Sequence, residues 1–346
     1  MPTTPTIPAG NLFMNATTYT GTGASLNVIN GVAGQSFQPD FVWIKSRSVA
    51  ENHLAYDSVR GTNQRLYPNL TAAESTATNQ FNSFNSNGFT LGADPSQQAN
   101  ITGATMVAWN WKAGGTAVSN TDGTRTSSVS ANQTSGFSVA TFTAQSSGTG
   151  SVGHGLGATP SMLILKTRNA VNGWPTYHSS VGLNNYLLLN SNANTAADSN
   201  SFTAVSSTTF TLGSSFANGN TYVAYCWAPI AGYSAFGSYT GNGSTDGPFV
   251  YTGFRPKFVL FKSTSVSAND WIMYDTSRNT YNVMGASLVP NSSAAENGVS
   301  LSYENIVDFL SNGFKLRQAN YANNGPSVPY IYMAFAENPF KYANAR

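Results

Sequence analysis

Pro39-Asp40-Phe41-Val42-Trp43-Ile44-Lys45 decides the reading of this chain, because the same pattern is written three times. It returns as Pro160-Ser161-Met162-Leu163-Ile164-Leu165-Lys166 and as Pro256-Lys257-Phe258-Val259-Leu260-Phe261-Lys262. Each copy has a proline, one variable residue, four apolar residues and a lysine. A short apolar run opened by proline predicts a strand buried on both faces, and proline is tolerated at a strand's first residue because no ladder donor is needed there. The closing lysine predicts the point where the strand leaves the core, its stem on apolar surface and its ammonium in water.

Working outward, the neighbours repeat in the same order. Upstream stand Thr18-Tyr19-Thr20-Gly21, Thr141-Phe142-Thr143-Ala144 and Ser238-Tyr239-Thr240-Gly241. Downstream stand His53-Leu54-Ala55-Tyr56-Asp57, Trp174-Pro175-Thr176-Tyr177-His178 and Trp271-Ile272-Met273-Tyr274-Asp275. Then come Asn69, Asn190 and Asn291, a Phe-Thr/Lys-Leu block around Phe89, Phe210 and Phe314, and closing strands around Trp109, Tyr225 and Phe335. This repetition predicts an all-β chain of three tandem homologous antiparallel β-sandwich domains, jelly-roll-like, each long enough to bury a core of its own. The boundaries read as an extended N-terminal arm at 1–10, repeats at 11–113, 136–232 and 233–346, and a linker or hairpin flap at 114–135 turning at Asp122-Gly123. The residues from Phe340 to Arg346 read as a tail. Almost no helix is expected; Ala294-Ala295-Glu296-Asn297 is the one segment that suits a helical turn.

Charged residues make up 9% of the 346 residues, against about 25% in an ordinary soluble protein, so Asn, Ser, Thr and Gly must build the surface. Aromatics at 12% still supply packed cores. A net charge of +2 without a Lys/Arg cluster argues against nucleic acid as a partner. No apolar run reaches the roughly 18 residues of a membrane span, and the N-terminus does not read as a signal peptide. Cys226, the single cysteine, reads as a small buried hydrophobe.

The candidate sites divide between structure and binding. Lys45, Lys166 and Lys262 read as a repeated structural position, since no partner for a depressed pKa stands nearby in sequence. Asp57-Ser58-Val59-Arg60 and Asp275-Thr276-Ser277-Arg278 suit acid–arginine pairs that hold a turn. The binding alternative is an exposed polar rim at Asp57, Trp174, His178, Trp271 and Asp275, contacting a glycan or partner through ring stacking and planar polar groups. His53, His154 and His178 lack metal spacing. Gly153-His154-Gly155-Leu156-Gly157 lacks the lysine of a phosphate loop. No nucleophile elbow is written, and the 14 carboxylates fall singly. The expectation is a protein without catalytic residues, metal or cofactor.

The block from Phe37 to Arg47, with Tyr56-Asp57-Ser58-Val59-Arg60-Gly61, resembles an uncharacterised repeat family of tailed, often marine, phages. The segments Ser119–Thr124, Ser130–Asn132 and Gly153–Gly157 are similar to the joint between that family's repeats. The resemblance implies a virion protein of tail-fibre or surface type, without established chemistry. This chain departs from it in having no heptads for a coiled coil, and in a third copy that has Lys262-Ser263-Thr264 in place of the Lys-Ser-Arg triplet. The function expected is thus a non-enzymatic structural protein on the surface of a bacteriophage virion. It would be a tail-fibre or tail-tip component for host attachment, with capsid decoration on the head shell as the alternative and a surface-polysaccharide depolymerase third. Its partners would be other virion proteins and host surface glycans, in a homo-oligomer or symmetric assembly. Three similar domains in one chain could also mimic a trimer.

Overall fold

The computed structural model describes residues 10–31, 35–146, 148–216, 219–299 and 306–337. The expected N-terminal arm (but for Gly10) and C-terminal tail lie outside the described residues. The fold is all-β and antiparallel, and its only helical pieces among the described residues are three-residue 3-10 turns at Gly10–Leu12 and Ser214–Phe216. Ala294–Asn297 is not helical.

Each repeat folds into an inner and an outer sheet. In the first, Met14–Thr20, Thr105–Trp111, Phe41–Ser46 and Leu54–Asp57 lie side by side in that order, and Leu26–Ile29, Gly88–Leu91 and Phe81–Asn85 form the outer sheet. The third repeats this order with Ser234–Thr240, Pro329–Ala336, Pro256–Ser263 and Ile272–Asp275 inside, and Phe249–Tyr251, Gly313–Leu316 and Val307–Leu310 outside. The second has the same core of strands, but its inner sheet grows to eight. The segment 114–135 forms a two-stranded hairpin that joins the inner sheet of the second repeat. Val118–Asn120 and Ser127–Asn132 pair with each other, and the latter continues the sheet along Phe137–Thr143. The two-residue turn expected at Asp122-Gly123 is not formed, because Asn120 faces Ser127 across a longer loop. Within that loop Arg125 bridges in parallel to Val152 of the outer sheet.

The proline-led strands are buried on both faces, and each face has its own reason. One face of the first inner sheet (Val42, Ile44, Met106, Ala108) packs on Val28, Phe81, Phe89 and Leu91 of its outer sheet. The other face (Phe41, Trp43, Trp109, Trp111) meets Phe137, Met162, Tyr225 and Trp227 of the second repeat and Phe258, Leu260, Met333 and Phe335 of the third. Phe41 stacks on Tyr225 with ring centroids 4.3 Å apart, while Trp111 makes edge contacts with Trp227 at 6.0 Å and Phe335 at 5.9 Å. Burial of each such ring contributes about 2 kcal/mol. Each copy does bury a core of its own, yet it also owns a third of a central core that no copy could cover alone.

Candidate functional site

The residues singled out in the sequence lie in the joints between repeats, and the joints close a ring. At the first repeated position, Trp174 Nε1 donates to the carbonyls of Tyr67 and Leu70 in the first repeat, both at 3.0 Å. Trp271 Nε1 donates to Leu188 O in the second at 2.9 Å. His53 completes the circuit: Trp43 Nε1 donates to its Nδ1 at 2.9 Å, so Nε2 carries the proton and donates to Val289 O in the third at 3.0 Å. Tyr67, Leu188 and Val289 are themselves equivalent positions. The recurring asparagines hold these rings in place: Asn69, Asn190 and Asn291 accept the backbone N–H of His53, Trp174 and Trp271.

A second circuit runs beside the first. Glu74 N donates to Arg168 O at 2.7 Å, Thr195 N to Thr264 O at 2.9 Å and Glu296 N to Arg47 O at 2.8 Å. In two of these joints the side chains add an ion pair, Glu74–Arg168 and Glu296–Arg47, both at 2.8 Å. Each glutamate also pairs with the arginine of a buried Asp–Arg turn, Asp57–Arg60 or Asp275–Arg278. Burial alone would raise the carboxyls of Glu74 and Glu296, but the arginines outweigh it and hold both below the usual carboxylate value. At the third joint the whole charge set is gone: Thr195 replaces the glutamate, Thr264 the arginine, His178 the aspartate and Val181 the turn arginine. The missing arginine at Thr264 is therefore matched by the loss of its partner.

The expected exposed rim does not exist at the residues named for it. Asp57, Trp174, His178, Trp271 and Asp275 are each at most 1% exposed. They are joint residues, reached from the adjacent repeat by Tyr225, Trp109 or a backbone carbonyl. The lysines do not reach water either. Lys45, Lys166 and Lys262 are fully buried. Lys166 and Lys262 spend their ammonium on carbonyls of the adjoining repeat, Thr71 O at 2.9 Å and Asn192 O at 3.3 Å, while Lys45 caps Ser46 O at 2.8 Å. Desolvation lowers all three to about 8. Cys226 is buried and its thiol is pushed up to about 12 by desolvation, which suits the packing role expected of it.

With the repeated residues spent on the interior, the surface must be read from where the repeats differ. Among the described residues, every exposed aromatic lies in the third repeat: Phe249, Tyr251, Tyr281 and Tyr321. Phe249 and Tyr251 sit two apart on an edge strand, so they project from one face, about 7 Å apart along it. Their counterparts are Asn27 and Ile29 in the first repeat, and Ser151 and Gly153 in the second, fixed by the pairings of Val28, Val152 and Val250 with Phe89, Phe210 and Phe314. In the second repeat this edge is also covered, Arg125 N donating to Ser151 O at 2.9 Å. Beside Phe249 lies its cross-strand partner Lys315, paired at 2.8 Å with the largely exposed Asp246.

Residues 9–339 match a family described as a domain of unknown function (DUF7483). The chain belongs to that family. No curated protein matches it. One family match runs through all three repeats and their joints, so the unit that defines the family is the whole ring. The shared pattern of the repeats does not reveal the aromatic pair, because it lies where the copies differ. Aligning Leu26-Asn27-Val28-Ile29 with Pro248-Phe249-Val250-Tyr251 would have found it.

Proposed function

We propose that this chain is a non-enzymatic structural protein on the surface of a phage particle, a tail-fibre or tail-tip component that touches host surface glycans through its third repeat. The observation that carries this reading is the confinement of exposed aromatic rings, among the described residues, to one repeat of a ring low in charge. Exposed apolar area in a low-charge surface marks a contact site. Two rings about 7 Å apart on one strand, with Asp246 and Lys315 alongside, offer stacking faces and planar polar partners to a sugar chain. Glycan-array binding by the isolated chain, lost in Phe249→Ala/Tyr251→Ala, is the expected result. Binding only to purified phage heads would sink it.

A second reading, capsid decoration, draws on the closed ring. One chain with three equivalent joints can sit on a threefold site of a shell. Copy number separates the two: hundreds per particle support decoration, a few to a few dozen support the tail.

A further inference from the structure

The inner sheets each present a first strand at their margin: Met14–Thr20, Phe137–Thr143 and Ser234–Thr240. In the second repeat that margin is occupied, because Ser127–Asn132 runs antiparallel along it, Ser130 opposite Val139 and Ser128 opposite Thr141. In the first repeat no strand among the described residues covers it. Instead Met14–Thr20 borders an open groove of about 470 Å³, whose far wall is Lys257, Thr276 and Ser277 of the third repeat.

The backbone shows which groups face this groove. Lys112 N donates to Phe13 O and Gly21 N to Ala104 O, so the odd-numbered residues are bonded to the Thr105–Trp111 strand. Met14, Ala16, Thr18 and Thr20 therefore turn their N–H and C=O outward. Their counterparts Phe137, Val139 and Thr141 are the residues that Ser127–Asn132 faces. Two side-chain oxygens of residues lining the groove also lack partners: Oδ1 of Asn15, a residue only 6% exposed whose Nδ2 is spent on Asn30 O, and Oγ1 of Thr17. Buried polar atoms are rarely left so.

The walls differ as well. At the occupied joint Asp40, the counterpart of Lys257, accepts the N–H of Ala113 at 2.8 Å and of Gly115 at 3.3 Å, and Ser58 Oγ donates to the same carboxylate. At the open joint Ser277, which stands where the first repeat has Val59, donates to Ala16 O at 2.7 Å, supplying a bond a neighbouring strand would otherwise make.

We infer that the Met14–Thr20 margin is a strand-acceptor site. It takes an extended segment of a partner polypeptide, rich in Ser, Thr, Ala and Asn, laid antiparallel as Ser127–Asn132 lies along Phe137–Thr143. Lys257 selects a segment that brings a carbonyl or carboxylate to the wall where Asp40 receives N–H groups.

The test uses the full chain and a fluorescent synthetic peptide of residues 116–133, the occupant of the equivalent margin. The expected result is one peptide bound per chain, with amide exchange slowed at Ala16, Thr18 and Thr20. Thr18→Pro removes one outward N–H without touching the ladder to Thr105–Trp111, and should weaken binding about tenfold, the worth of one lost bond, at unchanged melting temperature. Absence of binding at millimolar peptide, or protection confined to another strand, overturns the inference. So does binding that appears only after residues 1–9 are removed, since the margin would then serve the chain itself.

Discussion

Tyr225 of the second repeat donates its hydroxyl to Oδ2 of Asp57 in the first, 2.7 Å away and fully out of water. The carboxylate also takes Nε of Arg60 at 2.5 Å, so one buried acid ties a turn to a neighbouring repeat. Tyr225→Phe keeps the ring that stacks on Phe41 and deletes this donor, together with the acceptor it offers Arg60 Nη2 at 3.3 Å. It should cost about 1–3 kcal/mol, the penalty for a buried carboxylate left one bond short, read from urea unfolding. An unchanged midpoint would mean that the joint contributes nothing through this bond.

The uncharged joint invites repair. Thr195→Glu alone places a carboxylate beside Thr264 with no cation and should destabilise. Thr264→Arg in the same chain restores the arrangement of Glu74–Arg168, and a double-mutant cycle should return a favourable coupling of about 1 kcal/mol. Zero coupling would show that the backbone bond from Thr195 to Thr264 does not place the two side chains as its counterparts are placed.

The buried lysines set the alkaline behaviour. Desolvation holds Lys45, Lys166 and Lys262 at about 8 in the fold, against 10.5 ordinarily. Between these values the unfolded chain binds more protons than the folded one, so stability rises with pH. Tyr225 and Tyr233, which desolvation holds well above their ordinary value of 10.0, turn the curve down beyond it. At the acid end, Glu74 and Glu296 have depressed folded values, and their contribution is lost as pH falls through them. Unfolding measured across this range should peak between about pH 8 and 10, and Lys166→Met should flatten the rise.

His53 and His178 should stay silent near neutrality. Burial drives His53 well below its ordinary value and His178 to about 4. In both, Nδ1 accepts and Nε2 faces a carbonyl, Val289 O or Tyr332 O. Nitrogen-detected NMR should find both rings neutral with the proton on Nε2 from about pH 5 to 8. Titration of either ring in that window would show an open joint.

Phe249→Ala/Tyr251→Ala should leave thermal unfolding within about 0.5 kcal/mol of the parent, as expected for exposed positions, while abolishing glycan binding. Loss of both together would make the pair structural.

The repeated blocks made the all-β fold legible, because a four-residue apolar run with turn residues on either side has few other uses. They also singled out Asp57, Trp174 and Lys262, which the structure places in the interior. What they could not convey was direction. A lysine after an apolar run reads as a route to water until the carbonyls of Thr71 and Asn192 are seen waiting across a joint. An Asp with a Trp nearby reads as a rim until the next repeat is seen covering it. Composition and pattern by themselves determined that the chain is all-β and that its proline-led apolar runs are strands buried on both faces. Only the tertiary structure decided that three sheets share a central core and which sheet margin carries an added strand. Those outcomes depend on contacts between residues a hundred or more positions apart, such as Arg47 with Glu296, and nothing local in the chain encodes them.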